Sequence, residues 1–171
     1  TGKSTLIDVL RHELDRNLVV LAPTGVAALN VGGQTIHSFF QLPPGPQPVG
    51  RKLQGVSRDV IAKMDILIID EVSMVRADLL DAIDDSLRTN TGKTGVPFGG
   101  KTVLLIGDMH QLPPVISGGE EARLFEEVYE SPYFFSAYCL QGLTLVTRIL
   151  TQSFRQADEE FVAILNDLRV G

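Results

Sequence analysis

Met64-Asp65-Ile66-Leu67-Ile68-Ile69-Asp70-Glu71-Val72-Ser73-Met74 carries the pattern on which the fold turns. Its aliphatic run from Ile66 to Ile69 does not alternate with polar residues, so it reads as a strand covered on both faces, as in parallel α/β sheets. The run ends in two adjacent carboxylates, Asp70 and Glu71. Open α/β sheets bind their ligands beyond the carboxyl ends of their strands. On an extended backbone neighbouring side chains point in different directions, so one acid can hold a metal while the other handles water. The same residues also describe a buried strand that closes in a solvated turn. This segment alone supports the two readings equally.

The totals narrow the choice. A chain of 171 residues holds one domain with a sizeable core, and 44% hydrophobic with 21% charged residues is ordinary globular composition. No apolar run approaches the ~20 residues that span a bilayer, and no signal peptide opens the chain. Cys139 is the sole cysteine, which excludes a disulfide framework and a cysteine metal site and fits an intracellular, reducing compartment. A net charge of −6 and a pI near 5.0 argue against coating nucleic acid through a broad basic face. They leave room for a narrow groove that grips one strand.

Working outward, the chain opens with Thr1-Gly2-Lys3-Ser4-Thr5, the second half of a phosphate-loop pattern whose first glycine and feeding strand would precede residue 1. Leu6, Ile7, Leu10 and Leu14 recur at helical spacing, so a helix starts at the loop and runs to Asn17. Amides at such a helix start cradle phosphates, with Lys3 reaching β/γ oxygens and Ser4 a Mg²⁺ ion. Taken alone, Gly-Lys-Ser is equally an ordinary helix start. Leu18 to Ala22 is a second buried strand, ending in Pro23-Thr24-Gly25 and a short helix from Val26 to Val31, which Gly32-Gly33 breaks.

Gln34-Thr35-Ile36-His37-Ser38-Phe39-Phe40 offers small polar groups, an imidazole and aromatics that can hold a sugar-phosphate backbone and stack a base. From the residues alone a core role for Ile36, Phe39 and Phe40, with His37 as a satisfied core histidine, is favoured. Leu42 to Gly50 is too rich in proline and glycine for regular structure and reads as a surface loop or small insertion. Arg51, Lys52, Arg58 and Lys63 make the most basic local segment, and a short helix ends at Met64.

Beyond Glu71, the spacing of Val75, Leu79, Leu80, Ile83 and Leu87 predicts a long amphipathic helix whose polar face carries Asp78, Asp81, Asp84, Asp85 and Arg88. Thr91-Gly92-Lys93-Thr94 mimics a phosphate loop but lacks the strand and helix around it, so residues 90–100 read as a plain loop. Lys101 to Ile106 is a third buried strand, which places Gln111 beside the acids of the second. Residues 119–130 form a solvated acidic helix, and Leu143 to Val146 a fourth strand leading to Phe154-Arg155-Gln156. Arg155 is placed to reach a phosphate site, and a last helix buries Phe161, Ile164, Leu165 and Leu168.

Together these segments resemble the first RecA-like core of a superfamily 1 DNA helicase, in the petite-integration-frequency (PIF-type) branch related to RecD. The resemblance covers nearly the whole chain. It rests on Gly2-Lys3-Ser4-Thr5, Ala22-Pro23-Thr24-Gly25-Val26-Ala27-Ala28, Thr35-Ile36-His37-Ser38-Phe39 and Ile69-Asp70-Glu71-Val72-Ser73-Met74. Further along it rests on Pro97-Phe98-Gly99-Gly100, Gly107-Asp108, Gln111-Leu112-Pro113-Pro114-Val115, Leu150-Thr151 and Phe154-Arg155-Gln156.

The resemblance implies an α/β, RecA-like P-loop NTPase core: a mainly parallel sheet flanked by helices. It also implies ATP bound by Thr1, Gly2, Lys3, Ser4 and Thr5, and Mg²⁺ held by Ser4 and Asp70. Lys3 would contact the β/γ phosphates, Glu71 would activate water, Gln111 would sense the γ-phosphate and Arg155 would add positive charge. Single-stranded DNA would lie along Pro23, Thr24, Gly25, Thr35, His37, Ser38 and Phe39.

The implied whole protein unwinds DNA 5′ to 3′ at duplexes and forks in repair, recombination and telomere maintenance. It would act in the nucleus or mitochondrion of a eukaryote, or in the cytoplasm and nucleoid of a bacterium. The stretch at 43–50 falls where relatives carry a duplex-splitting wedge, but here it is short. A second RecA-like core is not in these 171 residues. Translocation takes two cores closing around ATP, so the chain by itself is expected not to unwind DNA and to fold poorly. The rival readings are a P-loop ATPase driving another DNA transaction, such as recombination or packaging, and a non-catalytic relic. Intact Lys3, Ser4, Asp70, Glu71, Gln111 and Arg155 speak against the relic.

Overall fold

The computed structural model describes residues 2–47 and 58–150, with side chains of Arg58 and Glu120 outside the description. Three strands occupy the predicted apolar runs: β1 (Leu18–Ala22), β3 (Ile66–Ile69) and β4 (Thr102–Leu105). All pairings are parallel, in the order β2-β1-β3-β4. The edge strand β2 (Gln34–Thr35) is only two residues long. It reaches β1 because Gly33 lacks a side chain: a Cβ there would stand 2.3 Å from the Val20 carbonyl oxygen.

Helices cover both faces, so β1, β3 and Val103–Leu105 of β4 are apolar without alternation. One face buries Val20, Ile68 and Ile106 under Ile7 of α1 (Lys3–Glu13) and Val31, which caps α2 (Gly25–Asn30). The other buries Leu21, Leu67 and Ile69 against α3 (Ile36–Phe40), α4 (Arg58–Lys63) and α5 (Ala77–Thr91), through Ile36, Phe40, Ile61, Leu80, Ile83 and Leu87. Each such side chain removed from water contributes roughly 1.5–3 kcal/mol. β1 and β3 are thus held by core packing on two sides.

Several expectations need correction. The first helix stops at Glu13, and only Ile7 of its apolar residues is fully buried. Residues 143–150 form no strand and are exposed. β1 and β3 are each paired on both sides, and the chain runs instead toward α1, where a Cβ on Gly2 would stand 4.0 Å from Leu150 Cδ1.

The loop at 90–100 is structured: Gly92 ends α5 in the left-handed region, and Pro97–Gly100 forms a 3-10 turn with Phe98 and Gly99 buried. A Cβ on Gly99 would meet Thr91 Oγ1 at 2.3 Å and the Leu87 carbonyl oxygen at 2.6 Å, so the turn packs directly on α5.

The largest departure is on α5. Asp78, Asp81 and Asp84 are buried, not solvated. At spacings of three residues they share one face, and each organises a different loop. Asp84 accepts the Phe98 N–H and the Arg88 guanidinium. Asp81 accepts Tyr129 O–H at 2.8 Å, Tyr138 N–H at 3.1 Å and Cys139 N–H at 2.8 Å. Asp78 accepts Gln47 N–H at 2.8 Å and the Arg76 guanidinium. In α6 (Glu120–Glu127), Glu121 is likewise buried and paired with Arg76 at 2.7 Å. Residues 42–47 of the proline-rich stretch are irregular as expected, yet Leu42 and Gln47 are buried, and residues 48–50 lie outside the described residues.

Candidate active site

The carboxyl ends of β1, β3 and β4 face the start of α1 across a cleft of about 610 Å³, lined by Gly2, Lys3, Ser4, Thr5, Ala27, Asn30, Val31, Asp70, Glu71 and Gln111. Gly2 adopts φ 74°, a conformation natural to glycine, and its carbonyl accepts the Leu6 N–H at 2.9 Å as α1 begins. The first-turn amides of α1 have no partner within the helix, which suits an anion. Lys3 Nζ stands 3.2 Å from Glu71 Oε1 across this opening. Gln111 lies on the turn after β4, where Asp108 accepts the His110 N–H at 3.1 Å and the Gln111 side-chain amide at 3.4 Å.

The acids are not arranged as an extended strand would place them. β3 ends at Ile69, and Glu71 sits at φ 50°, ψ 43°, in the left-handed region that side chains other than glycine enter at a cost. A 3-10 turn over Val72–Met74 holds it there, tied to β4 by Val72 N–H to the Ile106 carbonyl at 2.9 Å. Gly107 completes the fit, since a Cβ on it would stand 2.8 Å from Val72 Cγ1. The reversal turns Glu71 toward Lys3 while Asp70, 5% exposed, stays behind it. Asp70 Oδ1 is buried with no hydrogen-bond partner. Burial pushes the Asp70 carboxyl above its usual range, opposed by the Glu71 N–H, with the Glu71 charge raising it further.

An ionised, orphaned carboxylate oxygen fits a divalent cation. Among the described residues no group of three His, Cys, Asp or Glu side chains could hold a metal alone. Mg²⁺ is commonly held by one or two protein oxygens together with substrate phosphates.

The structure brings Gly2, Lys3, Ser4, Thr5, Asp70, Glu71 and Gln111 to one cleft, as the motifs imply. Thr1 and Arg155 lie outside the described residues. Sequence reasoning missed Ala27, Asn30 and Val31 as the opposite wall. Their one signal was position, just after a strand that neighbours β3.

Ala22 pairs with Thr35, so Pro23, Thr24 and Gly25 leave β1 next to the point where Thr35 leads into α3, which carries His37, Ser38 and Phe39; none of these residues lines the cleft. Both threonine hydroxyls serve as helix caps: Thr24 Oγ1 accepts Ala27 N–H and Thr35 Oγ1 accepts Ser38 N–H, each at 3.2 Å. Ile36 and Phe40 are core, as the residues alone favoured. Phe39 is half-buried, edge-on to Phe40 with centroids 4.9 Å apart, while Ser38 is exposed. Burial holds His37 below its usual pKa; Arg76 adds to this and Asp78 opposes it.

Fold and cleft together define a class, the RecA-like phosphate-loop core. The family model described as "PIF1-like helicase" matches residues 1–171, and the chain belongs to that family. It is 36% identical over 184 residues to the ATP-dependent DNA helicase PIF1 of Emericella nidulans, aligning all of this chain with 23% of that protein. With the human ATP-dependent DNA helicase PIF1 it shares 34% over 176 residues, again all of this chain but 26% of the relative. The chain therefore spans about a quarter of the length of these curated relatives.

Among solved structures, a Bacteroides Pif1 helicase in complex with ADP-AlF3 and ssDNA superimposes with a TM-score of 0.92 at 39% identity, over 99% of this chain and 40% of that one. A Pif1 structure concerned with unwinding of forked dsDNA also gives 0.92, at 40% identity, over 98% of this chain and 41% of that one.

Proposed function

We propose that this chain is the first RecA-like core, and the ATP-hydrolysing part, of an ATP-dependent 5′-to-3′ DNA helicase. The observation that carries the reading is the single cleft in which Lys3 stands 3.2 Å from Glu71 while the buried Asp70 Oδ1 lacks a partner. Phosphoryl transfer to water is catalysed chiefly by positioning and by stabilising charge on the transferred group. Thr1, Gly2 and Thr5 would cradle phosphates at the start of α1, and Lys3 would leave Glu71 for the β/γ oxygens. Ser4 and Asp70 would hold Mg²⁺, which when bound neutralises charge across the phosphates.

Glu71, released from Lys3, would orient the attacking water and draw its proton, while Gln111 would contact the γ-phosphate. Arg155 would add positive charge to that phosphate. A single strand would run over Pro23, Thr24 and Gly25 and over Thr35, His37, Ser38 and Phe39. Unwinding at duplexes and forks, work in repair, recombination or telomere maintenance, and a nuclear, mitochondrial or nucleoid site follow from kinship. Support comes from relatives named ATP-dependent DNA helicases and from a neighbour whose structure holds ADP-AlF3 and ssDNA.

The test is ATP hydrolysis by the complete natural polypeptide with and without single-stranded DNA, together with unwinding of a duplex carrying a 5′ overhang. Strong stimulation and unwinding are expected. Stimulation without unwinding would favour an ATPase driving another DNA transaction.

A further inference from the structure

Arg76 lies five residues beyond Glu71 and is the residue from which α5 departs. Its side chain is 13% exposed and all three guanidinium nitrogens donate hydrogen bonds. Nε donates to Asp78 Oδ1 at 2.9 Å, Nη1 to Glu121 Oε1 at 2.7 Å, and Nη2 to Asp78 Oδ2 at 3.0 Å and the Gly45 carbonyl at 2.7 Å. The acids in turn hold backbone: Asp78 accepts Gln47 N–H at 2.8 Å, and Glu121 accepts Ser117 N–H at 2.7 Å. The Gln47 side-chain amide closes the loop on itself by donating to the Pro43 and Gly45 carbonyls.

One cation therefore ties together three segments that follow three functional motifs. The first, residues 43–47, continues from the strand-facing Thr35–Phe39 segment. The second, residues 117–121, continues from Gln111. The third is the 3-10 turn that holds Glu71 in its left-handed conformation.

A buried cluster of one cation and two carboxylates is a poor choice for stability alone. Desolvating the charges roughly cancels their attraction, and apolar replacements of similar volume are often neutral or better. The planar fork of arginine does offer geometric registry, binding several acceptors in fixed directions. We propose that Arg76 is a positioning residue of the motor, linking the nucleotide end of the sheet to the strand-facing loops through Asp78, Glu121 and the Gly45 carbonyl. When Gln111 or Glu71 shifts on a γ-phosphate, the 43–47 and 117–121 segments shift with it as one body.

This rests on the functional reading above, and the experiment separates the two. In the complete natural polypeptide, Arg76→Met/Asp78→Asn/Glu121→Gln removes all three charges while leaving acceptors for the Gln47 and Ser117 amides. Tm, basal ATPase, stimulation by single-stranded DNA, base pairs unwound per ATP, and hydrogen exchange at Gln47 and Ser117 with and without an ATP analogue are measured. The expected result is an unchanged fold and basal rate within about twofold, with stimulation and base pairs per ATP down at least tenfold and no nucleotide-dependent change in exchange. Arg76→Lys, which keeps charge but not the fork, is expected to remain defective, and it carries the comparison if the triple variant does not fold. Native stimulation and coupling in either folded variant overturns the proposal. A wild type without DNA-stimulated hydrolysis refutes the functional reading instead.

Discussion

Asp81→Ala is the sharpest test of how α5 holds its surroundings. The carboxylate accepts two backbone N–H groups and one phenol, those of Tyr138, Cys139 and Tyr129. Alanine leaves all three donors without their acceptor. A buried donor so stranded costs about 1–3 kcal/mol. The Cys139 N–H and the Tyr129 hydroxyl are buried, whereas the Tyr138 N–H is only partly buried. The sum is roughly 3–5 kcal/mol, a large part of the 5–15 kcal/mol that stabilises a typical domain.

Asparagine keeps an acceptor for Cys139, and the Tyr129 hydroxyl can rotate to accept from the new amide. The conflict then falls mainly on the Tyr138 N–H, for about 1–2 kcal/mol. Residue-resolved hydrogen exchange on the complete natural polypeptide reads this directly at the Tyr138 and Cys139 amides. Three kcal/mol corresponds to roughly a hundredfold faster exchange. Exchange should rank alanine fastest, asparagine next and Glu126→Gln, an exposed control, at the native rate within about 0.5 kcal/mol. Acceleration below tenfold in Asp81→Ala, or equal acceleration in the control, would refute the buried-acceptor account.

Gly107→Ala forces a Cβ to within 2.8 Å of Val72 Cγ1, so the Glu71 turn must move; about 1–3 kcal/mol of stability and a fall in kcat exceeding any rise in KM are expected, checked by steady-state kinetics. His37 is held below its ordinary 6.5, chiefly by burial. Its neutral form favours the fold, a contribution complete above pH 6.5 and lost as pH falls through 6.5 toward the lowered value. An NMR titration should give a midpoint under 6.5 that rises when single-stranded DNA brings phosphates near; a midpoint at or above 6.5 without DNA contradicts the burial assignment. Asp70, raised by desolvation, weakens the fold as pH rises through its raised pKa and the carboxylate ionises, and a cation offsets that penalty. Mg²⁺ with ADP should therefore raise Tm more than ADP with chelator, and Asp70→Asn should abolish the difference.

What sequence reveals here follows from which forces are local. Ile66 to Ile69 and Leu18 to Ala22 announce buried parallel strands because apolar burial on both faces leaves a contiguous signature. Gly2-Lys3-Ser4 is legible as a candidate phosphate site because the pattern is contiguous in sequence, and the structure places these residues in the cleft. Asp78, Asp81 and Asp84 are not legible as buried acceptors, because period and polarity alone place them on a polar face. Their partners Gln47, Tyr138 and Phe98 lie 31, 57 and 14 residues away along the chain. Glu71 was expected on extended backbone, and its left-handed turn depends on Ile106 and Gly107, more than thirty residues away. Leu143 to Val146 has strand composition but is exposed and outside the sheet, and only the assembled fold shows that.

The central claim is that one cleft serves one triphosphate, with Lys3 binding it and Glu71 directing water onto it. The most direct measurement compares the complete natural polypeptide with its Glu71→Gln variant, reading equilibrium ATP binding and single-turnover phosphate release in parallel. Losing one positioned group of this kind slows the chemistry by on the order of a hundredfold or more. Binding should be kept or tightened, since Lys3 no longer has the carboxylate 3.2 Å away as a competitor, while phosphate release collapses. Phosphate release at the native rate would contradict the account, and so would lost binding in a folded variant.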